Sequence, residues 1–270
     1  MHPQQSPPYS GLSRIAHLAI LAFLCMALRS DAALPAFTRV SSRMLTLPKR
    51  TLWAWERPED LRAIDPVTTA IAVLDQTILV ADQIHTLPRR QPILYPASAR
   101  TISVVRIEVA RGTPLDPANA QSFEETVGSV VSQLLLSANR PGIAALQVDF
   151  DATRSQRAFY KSVLRDLRAK MPADLPLSIT ALASWCSYDD WISSLPVDEA
   201  VPMFFRMEPD RRRAPANLDT FRLREPLCQG SIGLSTRERW PDSIAGRRIY
   251  IFPDHGWRTD LSLLADRTIP

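Results

Sequence analysis

The sequence predicts a single α/β barrel of the TIM-like (β/α)8 type, less regular around its second and third strands. Eight apolar segments of strand length recur along the chain. Several of them are separated by stretches whose apolar residues follow helical spacing. Strands that alternate with helices pair in parallel, and the 270 residues of the chain suffice for a barrel of about 250 residues.

The N-terminal 33 residues are expected to be a secretory signal. Arg14 and His17 precede an apolar run over 18–28, which is too short to span a bilayer. Small residues that suit cleavage follow at 30–33. An uncleaved anchor is the alternative. Residues 34–50 are interpreted as an irregular segment and 51–270 as the barrel domain of a periplasmic or secreted protein.

The elements of the first half of the barrel follow from local patterns. Strands are expected over 51–56, 69–74 and 101–109, with a short helix opening at Pro58 and an excursion of short strands and turns over 78–95. Apolar residues at helical spacing predict a helix over 118–139. A fourth strand then ends at Asp151.

The second half continues the alternation. We expect helices over 153–170, 188–194 and 259–266, and strands over 177–182, 200–205, 231–235 and 248–252. The Arg-rich stretch 210–225 is interpreted as a loop followed by a helix. No linker or repeat divides 51–270, so one domain is predicted.

The fourth strand carries the most informative pattern in the chain. Gln147, Asp149 and Asp151 fall on one face of it, and Val148 and Phe150 fall on the other. A strand with an apolar outer face and an acidic inner face belongs in a barrel whose interior holds a site. Two acids this close cannot both ionise cheaply, and Arg106 on the neighbouring strand is the expected counter-ion.

Active sites of such barrels lie at the C-terminal ends of the strands. Paired carboxylates beside aromatic faces are typical of glycoside hydrolysis. The residues at the C-terminal ends of the predicted strands are therefore the candidates for the site. The catalytic candidates are Asp151, Asp149, Glu56 and Glu108. The substrate-binding candidates are Trp55, Arg106, Trp185, Arg206, Asp254 and Trp257. The alternatives are a structural ion pair of the two aspartates with Arg106, and tryptophans that only pack.

Other chemistries fit the sequence less well. Beyond the signal only His85 and His255 remain, so a zinc site is not expected, and Mg²⁺ or Ca²⁺ at Asp149 and Asp151 is a minor alternative. With eight glycines and no phosphate-binding loop, no cofactor is expected. The net charge of +4 gives little reason to expect nucleic acid. Cys186 and Cys228 are either one disulfide or two buried thiols.

Four segments together resemble a bacterial family of unknown function, DUF3142. They are Leu52-Trp53-Ala54-Trp55-Glu56-Arg57-Pro58-Glu59-Asp60-Leu61, Gln147-Val148-Asp149-Phe150-Asp151, Ser178-Ile179-Thr180-Ala181-Leu182-Ala183-Ser184-Trp185 and Val201-Pro202-Met203-Phe204-Phe205-Arg206-Met207. The similarity extends over about 51–257. It implies a barrel related to glycoside hydrolases, with no established activity and no catalytic residues to carry over.

The predicted fourth strand, which carries Asp149 and Asp151, is distantly similar to that of family 18 chitinases. In that family the fourth strand ends in Asp-x-x-Asp-x-Asp-x-Glu, with Glu as the acid. Asp149 and Asp151 match the second and third acidic positions, but Thr153 stands where the Glu belongs. That departure makes chitinase chemistry of this kind doubtful and requires an acid from elsewhere, with Asp151, Glu56 and Glu108 as the candidates.

The leading hypothesis is an exported glycoside-hydrolase-like protein that acts on a polysaccharide or oligosaccharide. The alternative is a non-catalytic carbohydrate-binding barrel, and a third interpretation is a structural envelope protein. No partner other than carbohydrate is expected, and the oligomeric state does not follow from the sequence.

Overall fold

Eight parallel strands close into a barrel, which confirms the predicted fold class. The computed structural model describes residues 41–205, 222–238, 240–241 and 244–264. The barrel closes because the first strand pairs with both the second and the last strand of the ring. In ring order the strands are β1 (Arg50–Ala54), β3 (Thr69–Val80), β6 (Thr101–Val109), β7 (Ile143–Asp149), β8 (Leu177–Leu182), β9 (Glu199–Met203), β10 (Ser231–Ser235) and β11 (Arg248–Phe252).

Three short strands lie outside the ring: β2 (Glu59–Asp60), β4 (Ile84–Pro88) and β5 (Ile93–Leu94). β4 pairs antiparallel with the second half of β3, and β2 pairs with β5. The expected helix at Pro58 is therefore wrong, because Glu59 and Asp60 join a two-stranded sheet instead. The expected excursion over 78–95 is shorter than predicted, since β3 runs on to Val80.

The helices are fewer than in a regular barrel. The described helices are α1 (Ala120–Ala138), α2 (Arg157–Lys170), α3 (Ala183–Ser187) and α4 (Trp257–Asp260), with 3-10 turns at Ser42–Thr46, Arg154–Gln156, Pro226–Cys228 and Leu261–Leu264. The helix expected over 188–194 is wrong: α3 lies earlier, directly after β8. No described helix has both the length and the apolar character needed to cross a membrane. Part of the stretch 210–225 lies outside the described residues.

Apolar side chains form one cluster inside the barrel and two outside it. α1 and α2 cover the side that includes β6, β7 and β8, where Val148 and Phe150 pack against Phe159 and Tyr160. On the opposite side, around β1, β10 and β11, the described residues that pack against the sheet belong to loops, to short turns and to the short helix α4, with Trp257 and Leu61 in the cluster. The predicted inward and outward faces of β7 are therefore those observed.

The N-terminal ends of the strands are closed by residues that precede β1. Met44, in the turn Ser42–Thr46, is fully buried in the interior cluster. Arg248 donates hydrogen bonds to the backbone carbonyls of Met44, Leu47 and Pro48. The last residues of the segment that we expected to be irregular thus form the floor of the barrel.

A buried polar network lies above this floor. Trp53 Nε1 donates to Gln147 Oε1 at 2.8 Å, and Gln147 Nε2 donates to Ser178 Oγ at 3.0 Å. Ser178 and Tyr250 both donate to Glu199 Oε1, and Arg248 Nε lies 3.5 Å from Glu199 Oε2. These residues are called the floor network below: Trp53, Gln147, Ser178, Glu199, Arg248 and Tyr250.

A disulfide joins Cys186 in α3 to Cys228 in the turn before β10, with 5.9 Å between the two Cα atoms. The backbone N–H groups of Arg224 and Glu225 also donate to the carbonyl of Cys186. Of the two states left open by the sequence, the structure has the bonded one. It ties the chain around β8 to the chain that enters β10.

Candidate functional site

Charged side chains from β6 and β7 meet inside the barrel near the C-terminal ends of these strands. Arg106 and Asp149 are register partners on the two strands. Arg106 Nε lies 2.9 Å from Glu108 Oε1, and its Nη1 lies 3.7 Å from Asp149 Oδ2. The expected counter-ion of the acidic strand is therefore in place, although it binds Glu108 more closely than Asp149.

Asp149 is the buried member of the site, with only 6% of its surface exposed. Its Oδ1 accepts a hydrogen bond of 2.7 Å from Thr180 Oγ1 on β8. Burial raises the pKa of Asp149, and the nearby charges of Asp151 and Glu108 add to this effect, while Thr180 and Arg106 oppose it. Loss of hydration thus outweighs the two stabilising partners.

Asp151 is the accessible member of the site. In the described part of the chain its carboxylate makes no hydrogen bond and no ion pair, and the residue is exposed. Partial desolvation by the surrounding walls raises the pKa of Asp151, and Arg106 opposes the rise. An accessible carboxyl group with a raised pKa is a candidate general acid.

A cavity of about 340 Å³, called the acid cavity below, surrounds these groups. Its lining consists of residues 106–109 and 149–151 together with Thr153 and Gln156. It therefore contains three of the four predicted catalytic residues, Glu108, Asp149 and Asp151. Its volume is at the lower end of the range for small-molecule sites.

Thr153 and Gln156 form the edge of the acid cavity through a turn. The Thr153 N–H donates to Gln156 Oε1 at 2.9 Å, and the Gln156 N–H donates to the Thr153 carbonyl at 3.0 Å. This reciprocal pattern caps the start of the helical segment that leads into α2. Thr153, for which the sequence analysis considered the place of a catalytic acid, is thus a capping residue.

Tyr160 is a residue of this region that the sequence reasoning missed. Its ring is fully buried against Phe150, and its hydroxyl has no hydrogen-bond partner among the residues that the structure describes. Burial, with the charges of Asp149 and Asp151, raises the pKa of Tyr160 well above its usual value. Its place in the apolar stripe of α2 gives no signal of this, because a tyrosine there is indistinguishable from ordinary packing.

Aromatic side chains occupy the C-terminal ends of β1, β9 and β11. Trp55 and Phe205 are half-buried, and both rings contact the buried Phe252, at centroid distances of 6.3 and 4.5 Å. Gly233 makes room for this cluster, since a Cβ there would lie 3.1 Å from the Phe252 ring. Trp55 was predicted as a binding residue, whereas Phe205 and Phe252 were read only as strand residues.

Two other predicted binding tryptophans are buried. Trp185 is 2% exposed and packs at 4.8 Å against Trp191. Trp257 is fully buried, and its Nε1 donates to the Trp53 carbonyl at 2.9 Å. Stacking on a sugar requires an exposed ring face, so these two rings correspond to the packing alternative that the sequence left open.

The remaining predicted residues lie apart from the acid cavity or outside the described chain. Glu56 Oε1 accepts hydrogen bonds from the backbone N–H groups of Arg90 and Gln91, which fixes the loop between β4 and β5. Asp254 follows β11 and lies 3.3 Å from Arg237 Nε. Neither lines the acid cavity. Arg206 lies outside the described residues.

Among the described residues no cluster of three or more His, Cys, Asp or Glu side chains is arranged to hold a metal ion. The acid cavity therefore offers the carboxylates of Glu108, Asp149 and Asp151 together with the guanidinium of Arg106. Carboxyl groups with raised pKa values, in a cavity at the C-terminal ends of barrel strands, can take part in proton transfer.

The fold and site define a parallel barrel with an acidic cavity at the carboxyl ends of β6 and β7. Residues 100–205 match the model of a domain of unknown function, DUF3142. The resemblance predicted from the sequence is confirmed over this range, which extends from β6 to β9 and includes Glu108, Asp149 and Asp151. Trp55, Glu56, Asp254 and Trp257 lie outside it. No curated protein and no solved structure matches the chain.

Proposed function

We propose that the protein hydrolyses glycosidic bonds, with Asp151 as the proton donor. The observation that carries this proposal is the accessible, unpaired carboxyl group of Asp151 with its raised pKa, in a cavity that also contains Glu108. Glycoside hydrolysis needs one carboxyl group that is protonated near the working pH and a second that is ionised.

The other carboxylates take different roles because their surroundings differ. Glu108 is half-exposed and its carboxylate lies 2.9 Å from Arg106 in the same cavity as Asp151, so it takes the role of the base or nucleophile. Asp149 is buried beneath both and acts as the electrostatic partner of Asp151. Glu56 is the less suitable base, because its carboxylate is engaged by backbone N–H groups of the loop between β4 and β5.

The partly exposed rings of Trp55 and Phe205 support a carbohydrate substrate. Aromatic faces at the mouth of the barrel provide apolar surface on which the C–H face of a sugar ring packs. The disulfide between Cys186 and Cys228 supports export, since such bonds persist in oxidising compartments. It agrees with the secretory signal proposed for residues 1–33.

The test is a hydrolysis panel in which wild type and Asp151→Asn act on neutral and acidic polysaccharides. Loss of a general acid lowers the rate about 10²–10⁴-fold. Glu56→Gln is the matched control and is expected to retain activity. Equal product release by wild type and Asp151→Asn would remove Asp151 from the mechanism, and no product with any polymer would reject the hydrolase.

A second candidate is a carbohydrate-binding barrel without catalysis. The specific observation in its favour is Thr153, which caps a helical turn at the position where a chitinase-like strand would need its acid. Binding of a polysaccharide by wild type without any release of reducing ends, measured by titration calorimetry beside the hydrolysis panel, would support this function instead.

A further inference from the structure

A second cavity of about 480 Å³ adjoins the acid cavity. Residues of the loop 109–117 line it, together with Ser155 and Gln156, and it is called the Arg111 groove below. Val109 and Gln156 line both cavities, so the two are adjacent. Each volume falls within the range of about 300–1,000 Å³ that small-molecule sites have.

Hydrogen bonds to the end of β3 hold the Arg111 groove in shape. The Ala110 N–H donates to the Val80 carbonyl at 2.8 Å, and Thr113 Oγ1 donates to the same carbonyl at 3.4 Å. Gly112 has a φ of 85°, a left-handed turn that side chains other than glycine rarely adopt. These contacts therefore fix the loop 109–117 as one wall of the Arg111 groove.

Gln156 stands at the border of the two cavities with one end of its amide fixed. Its Oε1 accepts from the Thr153 N–H, so its Nε2 amide is left as a donor. In the described part of the chain this Nε2 has no partner, and neither has the Arg111 guanidinium. Gln156 lines both cavities and Arg111 lines the Arg111 groove, and both side chains can donate hydrogen bonds to the hydroxyl groups of a sugar.

The charges of the two cavities favour an uncharged ligand. The Arg111 groove is lined by one basic side chain, Arg111, and one acidic side chain, Asp116, so its formal charges sum to zero. The acid cavity holds three carboxylates against the single guanidinium of Arg106. A carboxylate or sulfate group on the ligand would meet like charges there, which disfavours binding.

We infer that the Arg111 groove binds a second sugar unit of an uncharged oligosaccharide whose neighbouring unit lies in the acid cavity, with Gln156 contacting both. The inference rests on the proposed function and adds the direction and charge class of the substrate. Affinity then rises with chain length until both cavities are filled, and acidic oligosaccharides bind weakly.

The experiment measures binding by titration calorimetry in an Asp151→Asn background, which prevents turnover. The probes are cello-, xylo- and chito-oligosaccharides of increasing length, with oligogalacturonides as the acidic series. Ser155→Trp fills the Arg111 groove without entering the acid cavity. Ser132→Trp, on the exposed face of α1, is its matched control. Gln156→Glu retains the acceptor for the Thr153 N–H and removes the free donor.

The expected result is a neutral series whose longer members bind about tenfold more tightly than its shortest, a gain equivalent to one or two hydrogen bonds. Ser155→Trp abolishes this gain and leaves the affinity of the shortest member unchanged, Gln156→Glu abolishes the gain and also weakens binding of the shortest member, and Ser132→Trp has no effect. Binding that is independent of length, insensitive to both variants or stronger for oligogalacturonides overturns the inference alone. Absence of binding and of hydrolysis by wild type for every series overturns the proposed function together with it.

Discussion

The two ends of the barrel interior both bury charged side chains, but they satisfy them differently. At the floor, Glu199 is 4% exposed and is surrounded by Ser178, Tyr250 and Arg248. At the opening, within the described residues, Asp149 has one side-chain hydrogen bond, from Thr180, and an arginine at 3.7 Å, while Asp151 has neither. Desolvation raises the pKa of all three carboxyl groups.

The difference indicates which end holds the structure and which is free to react. A buried polar network that is closed on itself gives rigidity and costs much when one member is removed. Carboxyl groups left without full partners keep a raised pKa and remain available to a ligand. We therefore expect the floor network to matter most for stability, and the acid cavity is where the proposed function places the reaction.

The largest effect is expected at the floor. Arg248→Met removes the cation beside Glu199 and the donors to three backbone carbonyls. Breaking a buried pair in this way costs about 3–5 kcal/mol in the free energy of unfolding, measured by urea titration. Arg106→Met is the matched variant at the opening. Its side chain is 34% exposed and its loss is expected to cost about 1 kcal/mol or less. Equal losses for the two variants would contradict the comparison.

The next effect concerns the disulfide, which ties the chain around β8 to the chain that enters β10. The cysteines are 42 residues apart in sequence, so the bond restricts a long loop of the unfolded chain. Replacing Cys186 and Cys228 together by alanine is expected to lower the free energy of unfolding by about 2–4 kcal/mol. Chemical denaturation of wild type and the double variant measures this. An unchanged unfolding midpoint would show that the disulfide adds no stability beyond that of the noncovalent contacts around it.

The barrel itself was accessible from the sequence because its strands carry strong local patterns. All eight ring strands were predicted, and 101–109, 177–182, 231–235 and 248–252 have the predicted bounds. The elements that were wrong are short and depend on tertiary pairing. Pro58 looks like a helix start, but the backbone of Glu59 donates to the Pro92 carbonyl across the molecule. Such a partner leaves no local trace.

The site was predictable only where strand alternation determines it. The inward face of β7 and the partnership with Arg106 follow from a period of two residues and from strand order. The burial of Trp185 and Trp257 does not follow from the sequence, because a tryptophan packed in a core and one exposed at the barrel opening cannot be told apart there. Nor does the capping role of Thr153, which depends on the turn that Gln156 closes three residues later.

A smaller, pH-dependent effect is expected at Asp149. The folded state raises the pKa of Asp149 above its ordinary value of 3.8, so the folded protein holds this proton more tightly than the unfolded chain does. Stability from this group is present at low pH and is lost as the pH rises from 3.8 through the raised pKa. Asp149→Asn does not titrate. The unfolding free energy of wild type relative to Asp149→Asn should therefore fall with pH, by at most about 1.4 kcal/mol per pH unit, and then become constant.

Urea titrations of wild type and Asp149→Asn at a series of pH values give this difference directly. The same titrations of wild type and Glu199→Gln compare the floor with the opening, because burial also raises the pKa of Glu199 from its ordinary value of 4.5. A wild-type stability that increases with pH relative to Asp149→Asn would mean that Arg106 and Thr180 outweigh burial, and the opening would then resemble the closed floor.

The smallest effect on stability is expected at Asp151. Its side chain is exposed and has no partner in the described part of the chain, so Asp151→Asn should not lower the free energy of unfolding at pH 7. The same substitution is expected to lower hydrolysis at least about 10²-fold. A residue that matters for the reaction and not for the fold is what the open end of the barrel implies. A large loss of stability in Asp151→Asn would instead make this carboxylate a structural member of the wall, and Glu108 would then be the remaining accessible acid of the cavity.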